Sequence, residues 1–353
     1  MTVTPGETVA MDRALALARG GWPGVFPNPM VGAVVLNGEG AVIGEACHEC
    51  CGAPHAEVMA MDRAGKVPAG ATLVVTLEPC VHQGRTPPCV DRIVSSGIRR
   101  VVAAMADPDP RVSGRGFDYL RDRGIEVVAG VREKEALELN RVWIHCLKRR
   151  RSFLHLKMAV SLDGRAAAPD GGGRWITGPE SRKRVREMRE QSHAVMVGSG
   201  TALMDDPSLA HDGPGSRPVR IVVAGSPLPA RLKLYSDGER TVTAVPAGSR
   251  WNPPGETVVF SGLADLLART LSMGLGLVLC EGGPRLSTAL INEALVDRIS
   301  VFTAPKLLGG GGVPVFHDLR TVGMDSALSL EDMVFERLGV DTLVEGRLVY
   351  RPD

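Results

Sequence analysis

His55 and Glu57 stand two residues apart in the stretch PHAEVM, and Cys80 and Cys89 each follow a proline in LEPCVHQGRTPPC. One imidazole and two thiolates make a zinc ligand set that leaves a tetrahedral position open, and an open position is the mark of a catalytic rather than a structural ion. Zinc lowers the pKa of a bound water toward neutrality, enough for attack on an amidine-like ring carbon. Glu57, a nearby carboxylate outside the ligand set, would carry the proton to the departing ammonia. A lone His is more often a satisfied core residue and a lone Cys a small buried hydrophobe. Here H-A-E, P-C and P-C occur in order on elements that suit them. A rival pairing exists in CHECC, where Cys47 and Cys50 have C-x-x-C spacing with Cys51 beside them. It reads as a structural zinc half-site, though no second half-site of comparable spacing follows.

The elements that must hold these groups are legible from periodicity. VGAVVLNGEGAVI at 31–43 predicts two strands around a Gly-containing turn. PHAEVMAMDRAG predicts a helix with Pro54, His55 and Glu57 in its first turn and Gly65 at its end. ATLVVTL, PPCVDRIVSSG and IRRVVAAM read as strand, helix and strand, the helix carrying Val90, Ile93 and Val94 on one face, which implies a parallel α/β sheet. Cys80 and Cys89 then sit at or near a helix start, where the dipole favours a thiolate. GIEVVAGV closes this half and EKEALELNRVWIHCL predicts one helix leading out of it. The basic run Lys148 to Arg151 reads as a solvated linker, dividing the chain into domains at 1–148 and 152–353.

The second half opens with FLHLKMAVSLDGR, a strand entering a turn. Thr177 with Glu180 forms a capping-box pattern, Pro179 just inside, so a helix is predicted to start there. VRIVVA, LGLVLC and RISVFTA alternate with helical stretches, again an α/β pattern. In LGLVLCEGGPRLSTAL the order is strand, Gly-rich turn, helix, so N–H groups near Gly282 and Gly283 could meet a cofactor phosphate. GGG at 171–173 and GGGG at 309–312 read as flexible loops.

Bulk composition narrows the function classes. At 353 residues two cores are the natural expectation, and 44% apolar with 23% charged residues is ordinary globular usage. A net charge of +1 recruits neither nucleic acid nor an anionic membrane, so an anionic substrate must be gripped locally. No apolar run reaches membrane-spanning length and no leader pattern is visible, so a cytoplasmic protein is expected. Seven scattered cysteines in a chain this long argue against a disulfide framework.

One His, two Cys and a free Glu are the set of the zinc nucleobase deaminases, in whose common signature two residues separate the cysteines. Here VHQGRTPP intervenes, leaving room for His82 and Arg85 to hold a substrate. With PNPMVGAVV, GEACHECCGAPHAE, LEPCVHQGRTPPC, DPDPRVSGRG, KMAVSLDGR, RWITGPE, LMDDPSL, CEGGPRLSTALI and APKLLGG in order, the chain resembles, over nearly its whole length, the bifunctional deaminase/reductase family of riboflavin biosynthesis. The resemblance implies a cytidine-deaminase-like zinc domain followed by a dihydrofolate-reductase-like α/β domain. It implies hydrolysis of the ring amino group of a diaminopyrimidinone ribosylamino 5'-phosphate, then NADPH reduction of the ribose to a ribityl chain.

By position, the resemblance assigns His55, Cys80 and Cys89 to one zinc and Glu57 to proton donation, with Asn28, His48, His82 and Arg85 lining the deaminase pocket. In the reductase half it assigns Ala159, Trp175, Thr201, Asp205 and Gly283, Pro284, Arg285, Leu286, Ser287, Thr288 and Ala289 to NADPH. Gly173, Arg189, Leu209 and Glu281 fall to the substrate, and a homodimer or higher homo-oligomer is implied. The chain departs from the family pattern at Asp212, where Arg is usual, at Ala224 and Gly225, where Asp-Ser is common, and at Cys47, Cys50 and Cys51. Asp212 would repel a substrate phosphate, so weaker discrimination for the 5'-phosphate is expected unless Arg189 or Arg217 substitutes. Competing readings are a deaminase paralogue acting on a related nucleotide with an altered reductase half, a zinc-stabilised binding protein, and a nucleic-acid deaminase. Glu57, of no use to a structural ion, counts against the second; neutral charge and few aromatics count against the third.

Overall fold

Alternate burial along short β-branched runs builds the first sheet. Ala33 and Val35 of β1 (Gly32–Leu36) pack into one apolar cluster while Val34 and Leu36 pack into the opposite one. In a computed structural model the chain divides into two compact units, Met1–Arg149 and Arg150–Asp353. The structure describes residues 2–83, 87–110, 112–169, 175–209, 217–321 and 323–350.

In the first unit β1 is joined by β2 (Val42–Cys47), β3 (Ala71–Val75), β4 (Ile98–Ala103) and β5 (Glu126–Ala129) in the order β2-β1-β3-β4-β5. β2 and β3 run antiparallel to β1, and β3, β4 and β5 run parallel to one another. One face is covered by α2 (Ala56–Ala64), α3 (Cys89–Ser96) and α4 (Arg115–Arg121), whose Met61, Ile93 and Leu120 are fully buried. The other carries α1 (Pro5–Ala18), α5 (Glu133–Leu139) and α6 (Arg141–Arg149), bringing Met11, Leu139 and Ile144 into the second cluster.

Two sequence expectations are corrected here. Pro54 and His55 lie outside the first turn of α2: His55 is its N-cap, with extended backbone. The single helix expected over 133–147 is two, broken at Asn140. The physical reason is distant in sequence. Asn140 is fully buried, accepts from the N–H of Met30 at 2.8 Å and donates to the Met30 carbonyl at 3.0 Å. That pair of bonds satisfies main chain next to Asn28 that has no ladder partner.

The second unit is a nine-stranded sheet. Its strands are β6 (Phe153–Ser161), β8 (Ala194–Gly198), β9 (Val219–Val223), β10 (Thr241–Pro246), β11 (Glu256–Phe260), β12 (Leu277–Cys280), β13 (Arg298–Ala304), β15 (Ser329–Leu338) and β16 (Asp341–Val349), in the order β11-β10-β9-β8-β12-β6-β13-β16-β15. The seven from β11 to β13 are parallel; β16 and β15 close the edge as an antiparallel hairpin. Helices α10 (Leu263–Ser272) and α11 (Pro284–Asn292) cover one face; α7 (Pro179–Glu190), α8 (Ser199–Asp205) and α9 (Lys233–Ser236) cover the other. From β8 the chain winds toward β11, whereas from β12 it crosses to β13, so the order reverses between β8 and β12. A crevice at the carboxyl ends of two such strands is where α/β sheets bind ligands.

The expected Thr177 capping box does not form. The N-cap of α7 is Gly178, one residue on, and no side chain within the helix caps it. Asp341, 163 residues away in sequence, accepts from the Gly178 N–H at 2.7 Å and from the Ser181 hydroxyl at 2.6 Å. A carboxylate at a helix start replaces the local cap at no loss. The linker reading of the basic run is also corrected in part: α6 extends to Arg149, and Arg151 is a largely buried partner of Asp297 through two bonds of 2.8 and 2.9 Å. The Gly309–Gly312 stretch is bonded rather than free, Gly309 donating to Asp163 and Val313–Pro314 pairing as β14 with β7 (Arg165–Ala167). No helix among the described residues is long and apolar enough to cross a membrane.

Candidate functional site

Two helix starts and one loop converge on a point at the carboxyl end of β3. His55 caps α2, Cys89 opens α3, and Cys80 lies in the loop between β3 and α3. The His55 Nδ1 is 3.1 Å from the Cys89 Sγ and 3.5 Å from the Cys80 Sγ, and all three donor atoms lie within 4.8 Å of one another. An ion with ligand bonds of 2.0–2.3 Å in a tetrahedron spaces its donors roughly 3.3–3.8 Å apart, so the set fits zinc. Among the described residues no other group of three His, Cys, Asp or Glu side chains meets that spacing, which leaves Cys47 and Cys50 without a ligand set.

The electrostatics make Cys80 a thiolate beside a Cys89 thiol. A hydrogen bond from the Cys89 thiol, and then one with His55, outweigh burial and pull the Cys80 pKa down to about 4. Cys89, sharing that proton and fully buried, is pushed up. The Cys89 main-chain N–H also points at the Cys80 sulfur at 3.4 Å, the helix-start effect seen directly. Burial raises the Glu57 carboxyl, with the negative Cys80 adding to it. A raised carboxyl suits a group that must both take up and release a proton.

All of this opens into a cavity of about 410 Å³ lined by Asn28, His48, His55, Glu57, Cys80 and His82, among others. His48 is almost fully buried, and burial holds it below its ordinary pKa. The neutral ring donates from Nδ1 to the Pro54 carbonyl at 3.1 Å, which leaves Nε2 to accept from the Asn28 amide at 2.9 Å. The Asn28 amide is thereby turned so that its oxygen and its second N–H remain for a ligand. Sequence reasoning gave no role to many cavity residues, among them Asp107, Asp109, Trp143 and Leu147. The two aspartates stand in the quoted DPDP stretch; Trp143 and Leu147 are brought in by the break at Asn140. Asp107 is raised to about 6, by burial first and then by Asp109 and Glu78. Arg85 lies outside the described residues. Cys51 reaches the cavity wall.

The second site is assembled from separate strands. Lys157 on β6, Glu281 after β12 and Arg189 at the end of α7 form a buried cluster: Arg189 bonds both Glu281 oxygens at 2.5 and 2.9 Å, and the Lys157 Nζ is 3.6 Å from one of them. Burial opposes all three charges. It drives the Lys157 pKa down, while Arg189 and Lys157 together hold Glu281 below its ordinary value despite it. Lys157 was quoted within KMAVSLDGR without a role; no local pattern distinguishes it from any other strand lysine.

Beside this cluster the β8–β12 crevice brings together Thr201, Gly283 and Leu286. A Cβ on Gly283 would stand 3.2 Å from the Thr201 hydroxyl, and one on Gly282 would stand 2.9 Å from Leu286. The Gly225 N–H donates to Ser199 at 3.2 Å, so the departing Ala224–Gly225 stretch is part of the same rim. Glycines that admit close backbone approach, set before the N-terminus of α11, fit a dinucleotide phosphate. Ala159 follows Lys157 on the same face of β6. Other assigned residues stand apart. Ser287 is buried against the Gly282 carbonyl, and Arg285, Thr288 and Ala289 face a separate flank of α11 beside His317. Leu209 is packed in the apolar cluster with Val197 and Ala202, leaving only its main chain to a ligand. Asp205 is exposed at the end of α8, and Trp175 is 56% exposed with the Arg182 guanidinium 5.1 Å over its ring. Gly173 and Asp212 lie outside the described residues, and Arg217 is ion-paired with Glu239.

Comparison with known proteins covers both halves. Residues 6–105 match the cytidine and deoxycytidylate deaminase zinc-binding region, and residues 152–344 match the RibD C-terminal domain. The riboflavin biosynthesis protein RibD of Aquifex aeolicus is 39% identical over 345 residues, covering 95% of this chain and 96% of that protein. RibD of Acinetobacter baumannii superposes with a TM-score of 0.87 at 32% identity, covering 98% of this chain and 99% of that one. A Thermotoga maritima diaminohydroxyphosphoribosylaminopyrimidine deaminase/5-amino-6-(5-phosphoribosylamino)uracil reductase superposes with 0.84 at 34% identity, covering 97% and 98%. With a zinc-type ligand set, a buried proton carrier and a reductase fold in one chain that aligns end to end with these relatives, the chain belongs to the RibD family of riboflavin biosynthesis proteins.

Proposed function

We propose that the chain catalyses two successive steps on a diaminopyrimidinone ribosylamino 5'-phosphate: hydrolytic removal of the ring amino group, then reduction of the ribose to a ribityl chain with NADPH. The observation that carries this reading is the placement of Glu57, His55 and Cys80 on one cavity wall shared with Asn28 and His82, with the Cys89 donor buried within reach of His55 and Cys80. His55, Cys80 and Cys89 would hold zinc, which when bound supplies a polarised water at its fourth position. Glu57 would relay a proton from the attacking water to the leaving amine, and burial raises its carboxyl toward that role. Asn28, turned by His48, grips the ring edge, and His82 and Arg85 take the ribosyl phosphate side.

In the second half Gly282, Gly283 and Thr201 would admit the pyrophosphate of NADPH, with Ala159 and Trp175 toward its reducing end. NADPH when bound supplies hydride. Lys157, Glu281 and Arg189 orient the sugar, and their mutual charge balance keeps Lys157 available as a proton source beside it. Asp212 favours reduced discrimination for the 5'-phosphate. The protein works in the cytoplasm as a homodimer or higher homo-oligomer, on a small-molecule nucleotide and on neither nucleic acid nor membrane.

The direct test is to supply purified zinc-loaded protein with the diaminopyrimidinone phosphate and measure ammonia, then add NADPH and follow its oxidation. Ammonia without NADPH, followed by NADPH oxidation only after deamination, is expected. Ammonia release with no NADPH consumption would leave a deaminase with an altered second half. The halves, 1–148 and 152–353, are each expected to fold alone, because each has its own sheet and apolar clusters. An insoluble 1–148 fragment beside a folded full chain would refute that division.

A further inference from the structure

Three segments are tied together at the carboxyl ends of β6 and β13 in the second unit. The turn after β6 and the loop after β13 are tied first: the Leu162 N–H donates to the Lys306 carbonyl at 2.8 Å, and Asp163 accepts from the Leu308 N–H at 3.1 Å and the Gly309 N–H at 2.7 Å. The Ser161 hydroxyl, then those main-chain donors, hold Asp163 down at about 2, so it stays a carboxylate at any working pH. The Val315 N–H donates to the Gly164 carbonyl, extending the tie.

The third segment joins through one side chain. The Lys306 ammonium donates to the Ile176 carbonyl at 2.6 Å and approaches the Trp175 carbonyl at 3.5 Å. Among the described residues no carboxylate stands within ion-pair distance of it, so its contacts are to main-chain carbonyls of the segment that carries the Trp175 indole. That indole has Arg182 near one face, and the residue is 56% exposed. Leu162 and Leu307, on the other two segments, are 65% and 73% exposed. An exposed Trp and two exposed Leu gathered by a common set of hydrogen bonds make an apolar lip where β6 and β13 end.

We propose that Lys306 is a positioning residue of the reductase half: it holds the Trp175 backbone so that the half-exposed indole is set toward the reducing end of the dinucleotide. The inference rests on the reading of Trp175 as a cofactor contact, and the test separates the two. The variants are Lys306→Met, Lys306→Arg, Trp175→Ala and the double variant with Met and Ala, each as the full zinc-loaded chain. The dissociation constant of NADPH is read by titration calorimetry, and KM and kcat by NADPH oxidation with the deaminated substrate. Lys306→Met is expected to raise the NADPH Kd and KM about tenfold, the scale of losing a charged hydrogen bond, with kcat falling less than threefold. Lys306→Arg should recover most of the loss. The double variant should bind NADPH no more weakly than Trp175→Ala alone, because Lys306 acts through the indole.

An unchanged Kd in Lys306→Met, beside a raised one in Trp175→Ala, would overturn the positioning role. Additive losses in the double variant would mean that Lys306 touches the cofactor itself, and would also overturn it. An unchanged Kd in Trp175→Ala would remove the Trp175 reading and the inference with it. A reductase half that unfolds at lower temperature in Lys306→Met but keeps its NADPH Kd would make the contact purely structural.

Discussion

The two halves of this chain place reactive groups by opposite means. In the deaminase half three ligands and a proton carrier come from two short stretches, PHAE and PC-to-PC, mounted on two helix starts at the end of one strand. In the reductase half Lys157, Arg189 and Glu281 come from a strand, a helix end and a strand exit spread over more than a hundred residues, and meet only because β12 lies beside β6. A site built on short local stretches brings its thiols together, and there the Cys89 thiol, His55 and the Cys89 main-chain N–H lower the Cys80 pKa between them. A site built from buried opposite charges has to be balanced internally, since each charge carries a desolvation cost that only its partners offset.

This contrast predicts different consequences of losing a carboxylate. Glu57→Gln removes the proton carrier and leaves the donors alone. Ammonia release should fall about 10²–10⁴-fold while one zinc per chain is kept and reduction of the deaminated substrate continues. Metal analysis and the two assays decide it; zinc lost together with activity would make Glu57 a ligand and erase the contrast.

Glu281→Gln should instead destabilise. Lys157 and Arg189 would be left buried without their counter-charge, at a cost of roughly 3–5 kcal/mol. The thermal transition of the second unit should drop by roughly 6–20 °C, with ammonia release retained. A stable variant that has lost only NADPH oxidation would mean the cluster is chemical but not structural, closer in kind to the first site.

The smallest effect concerns Asp107, at the deaminase cavity wall. Its folded pKa, about 6, stands above the unfolded carboxyl value of 3.8. A raised acid holds its proton more tightly when folded, so it has no cost below pH 3.8, costs progressively more as pH rises to about 6, and keeps that cost above. Asp107→Asn should therefore stabilise the first unit by up to ~3 kcal/mol at pH 7.5 and by much less at pH 4.5. Its amide oxygen can keep the bond from the Asp109 N–H, now 2.8 Å. Denaturant unfolding of wild type and variant across that range gives the answer; a pH-independent difference would assign the effect to packing.

Much of the fold and the zinc site was legible without coordinates, and the reasons are local. Strands such as ATLVVTL and RISVFTA announce themselves by β-branched runs, and Gly97 in left-handed backbone marks the end of α3 as a terminal glycine should. His55, Glu57, Cys80 and Cys89 declare their chemistry by type and order, because zinc accepts few donor sets and a helix start is readable from its neighbours. What tertiary structure decided is every feature whose partner is remote. Asn140 breaks a helix that its own neighbourhood favours because Met30 needs its amide; Asp341 caps α7 in place of Thr177; Arg151 leaves the linker for Asp297. Lys157 is the clearest case. Its residue type and its place in a strand say nothing, and it becomes a reactive group only when sheet order sets Glu281 and Arg189 beside it, because burial and charge balance are properties of the assembled neighbourhood rather than of the chain.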